Sequence, residues 1–395
     1  MSRVALLLMA LGLGACTLNT VNQAAGTYIN DLMEGEPEEA HEPLPLDEDF
    51  EPSAEVVELW STSVGGLGDR QSLKLAPVAA HKKVFMADPE GEVLALGLAD
   101  GEEVWERDTG VSISAGPSVG EGLVLVGTPD GQVLALKQGD GRLAWKTSVS
   151  SEVLAPPRIA EGVAVVRTAD GKLFGLDAGS GRRLWVFDRQ VPVLTLRGTS
   201  APVIADGRVV AGFDSGSLVA LELASGKPLW EARIAQPKGR SDLERMVDID
   251  AEPVVAGDTV YVVSYQGRLA ALSLETGQSE WDVEVSSYAG IGIDDEQLYL
   301  TDAVSQVWGL VRYSGNVAWE QEALAYRSLT APRSAGDYVV VGDLEGYVHW
   351  LTRKKGRLAA RVEVGSGPIT VAPLVVDDVV IAYSASGELA AYRAQ

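Results

Sequence analysis

Soft-ligand and imidazole chemistry is scarce in this chain, which carries one cysteine and three histidines in 395 residues. His41 lies in an acidic stretch, His81 near a turn, and His349 beside Trp350. Their separation offers no metal-ligand spacing. No GxSxG elbow is present, and no GxGxxG or GxxxxGK[ST] segment opens a helix. Carboxylates abound, but those of the Asp130 and Asp170 type stand next to glycine in turns, where they cap backbone groups. No catalytic residue, metal ligand or cofactor site is therefore assigned, and the expectation is a protein that is not an enzyme. Two other groups of residues have binding chemistry. Leu194, Leu196 and Arg197 lie in VLTLRG, and Asp248 and Asp250 lie in VDIDAE. Alternation puts the two leucines on one side of an extended segment. Apolar anchors beside a guanidinium are the usual makings of an interface hot spot, with the two acids as counter-charge.

What positions these groups is a repeat. Seventeen-residue cassettes such as PEGEVLALGLADGEEVW (89–105), PDGQVLALKQGDGRLAW (129–145) and ADGKLFGLDAGSGRRLW (169–185) recur seven times, with an eighth cut short at Gln395. Each combines short alternating runs with Gly and Asp punctuation, the pattern of strands joined by tight turns. A Val-rich run precedes each cassette, and a proline-led segment precedes that run, at Pro77, Pro117, Pro157, Pro202, Pro253, Pro332 and Pro373. The stretch around Gly292 supplies the eighth. No single unit can bury its own apolar face. The reading is all-β: an eight-bladed β-propeller of four-stranded antiparallel blades. The last blade lacks its final strand, and ELWSTSV (58–64), with Trp60, supplies it, closing the ring and removing exposed edges. The periodic tryptophans are expected to pack between blades rather than to bind a ligand.

The repeat is broken in two places. From the strand-ending tryptophan to the next proline the interval is 12 residues at Trp105 and Trp145 and 13 at Trp319, but 17 at Trp185 and 23 at Trp230. The two long connections are consecutive and emerge on one face. They contain all five of the residues singled out above. Insertions clustered on one face are where repeat proteins usually bind.

The first residues, MSRVALLLMALGLGAC, read as a secretory signal over 1–15, too short for a membrane span. Leu13-Gly14-Ala15-Cys16 resembles a bacterial lipobox, which implies lipid attachment at Cys16. Acyl chains there exceed the two-signal requirement for stable anchoring. Thr17 in second place, by the enteric sorting pattern, implies the outer membrane. Residues 31–58 carry twelve acids and no Lys or Arg, so 16–55 is read as a flexible acidic tether and 56–395 as the propeller. A net charge of −24 argues against nucleic acid or anionic lipid as a partner of the ring. A lone cysteine leaves stability to the core, without disulfides.

Two resemblances bear on function. LETGQSEW (274–281) is similar to the tryptophan-docking repeat of the quinoprotein dehydrogenases, which are also eight-bladed and hold pyrroloquinoline quinone and calcium on the axis. The likeness covers the packing motif only, since this chain has no vicinal cysteine pair, and a periplasmic quinoprotein-like dehydrogenase stands as the alternative reading. A glycan-binding propeller has no signature here. The wider resemblance, spanning the lipobox, the blades, LTLRG (194–198) and the DID stretch (248–250), is to the BamB family, lipoprotein subunits of the β-barrel assembly machinery. It implies a non-enzymatic scaffold on the periplasmic face of the outer membrane, tethered by lipid alone. It further implies that Leu194, Leu196, Arg197, Asp248 and Asp250 contact the POTRA region of BamA within the Bam complex. Unfolded outer-membrane proteins are a further class of client. The long acidic tether departs from the family pattern.

Overall fold

A computed structural model describes residues 42–395 apart from 69, 71, 190–199 and 237–246. The described chain forms eight four-stranded antiparallel sheets. Blades one to seven span residues 78–108, 115–148, 158–187, 203–233, 254–284, 291–321 and 333–363. In each the strands lie in chain order from the axis outward. The second strands, such as Leu123–Gly127, are buried almost throughout because sheet neighbours and adjacent blades cover both their faces. The fourth strands, such as Leu143–Ser148, bury little besides Trp145. This explains the shift from Val-rich runs to sparse patterning along each repeat.

Tryptophan and glycine in the cassette form one device. The indole N–H of Trp105 donates to Gln138 O of the next blade at 3.0 Å. Trp145 reaches Ala178 O at 2.8 Å and Trp185 reaches Leu223 O at 2.8 Å. The ring lies flat on the glycine of the neighbour's last turn. At Gly141 φ is +67°, and a Cβ there would come within 2.6 Å of the Trp105 ring. The site therefore needs glycine twice over, for backbone conformation and for space.

The eighth blade closes the ring as the sequence implied. Its first three strands, Leu374–Val376, Val379–Tyr383 and Glu388–Ala394, are joined by Val56–Ser63 as the outermost. Trp60 then hooks onto Leu98 O of the first blade at 3.0 Å. This blade has no turn between its third and fourth strands, because they come from opposite ends of the chain. The seventh blade correspondingly has Ala360 where the others have tryptophan. Trp350, the partner of Ala360 in the register, is fully buried there. It meets Tyr392 of the eighth blade edge-on at 6.2 Å.

One expectation needs correcting. The flexible tether assigned to 16–55 does not run free to its end: the propeller unit begins at Glu42. Leu44 N donates to Ala325 O at 3.1 Å, and Ser53 N and Ala54 N both donate to Ala359 O, at 2.9 and 3.2 Å. Arg327 Nη1 donates to Leu44 O at 2.9 Å, Arg361 Nη2 to Asp47 O at 2.7 Å, and Arg361 stacks on Phe50. Leu46 packs against the seventh-blade core and Ala54 is part of the next core cluster. The acidic composition that reads as solvated is here laid over arginines, with Leu46, Phe50 and Ala54 facing the ring.

Candidate docking site at the roots of the long connections

The connections between blades and the turns between second and third strands share one face, which is bound together by bonds such as Val149 N to Gly131 O at 2.8 Å. The two long connections leave from this face. Leu194, Leu196 and Arg197 lie outside the described residues, and so does any contact of Arg197 with the acids. Cys16 and His41 also lie outside them. The roots of both connections are described, and they converge. Ser200, immediately after the first, donates from Oγ to Ala251 O, at the end of the second, at 2.9 Å. Val247 and Ile249 seat over Gly216 and Gly212, where a Cβ would come within 3.0 Å of Val247 and within 2.3 Å of Ile249. Tyr265 N holds Asp248 O at 3.0 Å.

Arg167 is the hub beneath these roots. It is 2% exposed, with Nη1 donating to Ser200 O at 3.1 Å and Nη2 to Asp214 Oδ1 at 2.8 Å. Its guanidinium lies 5.3 Å from the centre of the Phe213 ring. Arg189, at the start of the first connection, approaches the same ring at 5.4 Å and pairs with Glu231. Both ends of the first connection are thus clamped around Phe213 by charge and cation–π contact.

Asp248 and Asp250 are the pair that the sequence offers as counter-charge to Arg197. The structure buries them, at 1% and 7% exposure. Val247 and Ile249, packed on Gly216 and Gly212, carry the acids between them inward. Asp250 Oδ1 has no hydrogen-bond partner among the described residues. Burial pushes its pKa up to about 6; Lys74 pulls the other way, Asp214 adds to the rise and Arg167 opposes it. Asp214 is also raised by burial, against the pull of Arg167. The arrangement is a buried cluster of alternating charge, carboxylate-rich toward Asp250, at the roots of the two long connections.

The family model described as outer membrane protein assembly factor BamB matches residues 58–321. The chain belongs to the BamB family. It is 48% identical over 345 residues to the outer membrane protein assembly factor BamB of Pseudomonas aeruginosa, covering 87% of this chain and 90% of that one. Identity to the BamB of Xanthomonas campestris is 40% over 364 residues, covering 90% and 89%. Among solved structures it resembles BamB from Moraxella catarrhalis with a TM-score of 0.77 and 28% identity, covering 86% and 99%. A quinohemoprotein alcohol dehydrogenase from Comamonas testosteroni also matches, with a TM-score of 0.67, covering 95% and 84%. At 13% identity that likeness is one of fold alone. As a BamB-family member the chain is an outer-membrane protein assembly factor, not an enzyme. Among the described residues no three His, Cys, Asp or Glu side chains converge as a metal site. His349 is buried against Asp343 Oδ2 at 2.9 Å, and His81 meets Gln138 of the next blade.

Arg167, Phe213, Asp214 and Ser200 escaped the sequence reading. A signal for one of them existed. The second strand ends in Ala87, Gly127, Gly212 or Gly342 in blades one, two, four and seven, and in Arg167 in the third. The repeat is broken there in residue type rather than in length.

Proposed function

We propose that the face bearing the two long connections docks on the POTRA region of BamA, making the chain a lipid-tethered scaffold of the Bam complex that assists insertion of outer-membrane β-barrel proteins. Leu194, Leu196 and Arg197 make the contact. Asp248 and Asp250 act from beneath, as the buried counter-charge that positions Arg197. The observation that carries this reading is the buried, incompletely bonded Asp250 at the joint between the two connections. A carboxylate held in that way costs stability, and such groups cluster at functional sites. Lipid attachment at Cys16 would keep the ring on the periplasmic face of the outer membrane.

The test is a titration of the protein with the purified BamA periplasmic region. Arg197→Ala is expected to weaken binding while leaving the melting temperature unchanged. Loss of a desolvated hot-spot arginine costs about 2–4 kcal/mol, equivalent to roughly 30- to 1000-fold in affinity. Glu275→Ala, on an exposed turn of the opposite face, should bind like the unmodified chain. Equal affinity of Arg197→Ala and wild type would remove the assignment.

A further inference from the structure

Two exceptions to the repeat meet at the roots of the first long connection. In every blade the residue after the second strand opens the turn into the third, and its N–H bonds to the carbonyl four residues on, as from Asp88 to Glu92 O at 3.0 Å and from Phe213 to Ser217 O at 2.9 Å. Outside the fourth blade that residue is Asp, Ser or Thr. In most of those turns its side-chain oxygen is the cap: Asp88 accepts from Gly91 N at 2.8 Å, Ser264 from Arg268 N at 3.2 Å and Asp302 from Gln306 N at 2.8 Å. Local bonds of this kind are why such residues favour turns. The fourth blade gives up the cap and has Phe213. One position earlier, at the last residue of the second strand, the third blade has Arg167 where four others have Ala or Gly. The exceptions lie in adjacent blades and touch, with the Arg167 guanidinium over the Phe213 ring.

Packing alone does not require this pair. Phe213 is buried in the core between blades three and four, a place that an aliphatic side chain would fill. What the ring adds is a face for two cations. Arg167 and Arg189 both approach it, and each is also tied to a carboxylate, Asp214 for Arg167 and Glu231 for Arg189. Phe187, two residues before Arg189, meets the same ring edge-on at 6.2 Å. The first connection begins at Arg189 and ends at Ser200, whose carbonyl Arg167 holds. Both of its ends are therefore fixed against one aromatic ring of the next blade. Cation–π contacts gain strength where the cation is desolvated, as Arg167 is. We infer that Phe213 and Arg167 are positioning residues for docking: without touching the partner, they set how Leu194, Leu196 and Arg197 are presented to it. The inference rests on the docking reading above and adds two residues that the contact itself does not include.

The test titrates the full chain with the purified BamA periplasmic region. Phe213→Leu keeps apolar bulk and removes the π face, and should weaken binding about tenfold or more while keeping a single cooperative melt. Arg167→Met, made together with Asp214→Asn so that no buried carboxylate is stranded, should do the same. Arg167→Lys should lose less, since it keeps the cation without the planar fork. In the Arg197→Ala background the Phe213→Leu loss should shrink to about threefold or less, because a residue that acts through another is not additive with it. In the free protein, trypsin cleavage after Arg189 should quicken in Phe213→Leu, while cleavage after Lys146, inside a strand of the second blade, stays unchanged. Should either the Phe213 or the Arg167 variant fail to fold, the other carries the test. Undiminished binding by Phe213→Leu beside a weakened Arg197→Ala overturns the inference and leaves the docking face standing. A Phe213→Leu loss that adds in full to that of Arg197→Ala, or unchanged cleavage after Arg189, overturns it in the same way. Unaltered binding by Arg197→Ala removes the docking reading, and this inference with it.

Discussion

At neutral pH the Asp250 carboxylate is ionised at a cost, because burial penalises its charged form. Burial lifts its pKa to about 6 from an ordinary 3.8. Between those values the folded chain holds a proton that the unfolded chain has released. Stability therefore falls as pH rises through the window from about 4 to 6, and the cost is fully present above it. At 1.36 kcal/mol per pKa unit the cost is on the order of 3 kcal/mol. Asp250→Asn should consequently raise the stability of the free protein at pH 7 and flatten its dependence between pH 4 and 6. Denaturant melts at pH 4, 5, 6 and 7 read this directly. If the variant is less stable than wild type at pH 7, the burial account is wrong. The same variant should bind the BamA periplasmic region more weakly, since the neutral amide no longer attracts Arg197. A gain in stability paired with a loss in binding separates a positioning residue from a packing one.

At the scale of elements, the segment over residues 42–54 acts as a strap on the one blade whose outer strand lacks tryptophan. Two amides meet Ala359 O, and a nearly buried arginine holds Leu44 O. A hydrogen bond of this kind contributes about 0.5–1.5 kcal/mol net, more when one partner is charged. Deleting residues 17–41 should leave the melting temperature unchanged. Extending the deletion through residue 54 should lower stability by about 2–5 kcal/mol, since it removes these bonds, leaves Arg327 short of an acceptor and uncovers the apolar edge. Coincident thermal melts of the two truncations would show that the strap is passive. The sequence hides this element for a physical reason. Twelve acids in 31–58 read as self-repelling chain, and the compensating Arg327 and Arg361 lie hundreds of residues away. Composition is local, whereas the partner is supplied by the fold. The same holds at the site: loop lengths single out the two connections, but not that Arg167 of the third blade holds Ser200 O at the end of the first, nor that Ser200 Oγ ties that root to Ala251 O at the end of the second. The buried state of Asp248 and Asp250 is equally invisible, because DID is as polar in a pocket as on a surface.

For the whole molecule, the repeat is legible because each cassette is incomplete without its neighbour. Tryptophan and glycine four residues apart in one cassette serve two different interfaces: the glycine receives the preceding blade's indole, and the tryptophan docks on the following one. This chain of dependence must close, and it does so through Val56–Ser63, which pairs with Glu388–Ala394 over the length of the strand. Trp60 carries the closure onward, with its ring over Gly101 and its N–H on Leu98 O. Trp60→Ala should therefore cost about 3–5 kcal/mol, the range for deleting a buried aromatic, and Trp145→Ala should cost a similar amount. Removal of the strand itself should set closure apart. Deleting residues through Ser63 leaves Glu388–Ala394 as an exposed, apolar edge, which invites pairing with other copies. That variant should lose its single cooperative melt and aggregate at micromolar concentration. A synthetic peptide covering residues 53–64, added during refolding, should bind the open blade and restore the monomeric ring. If the variant stays monomeric with an unchanged melt, or if the peptide has no effect on an aggregating one, the ring does not depend on this strand for its closure.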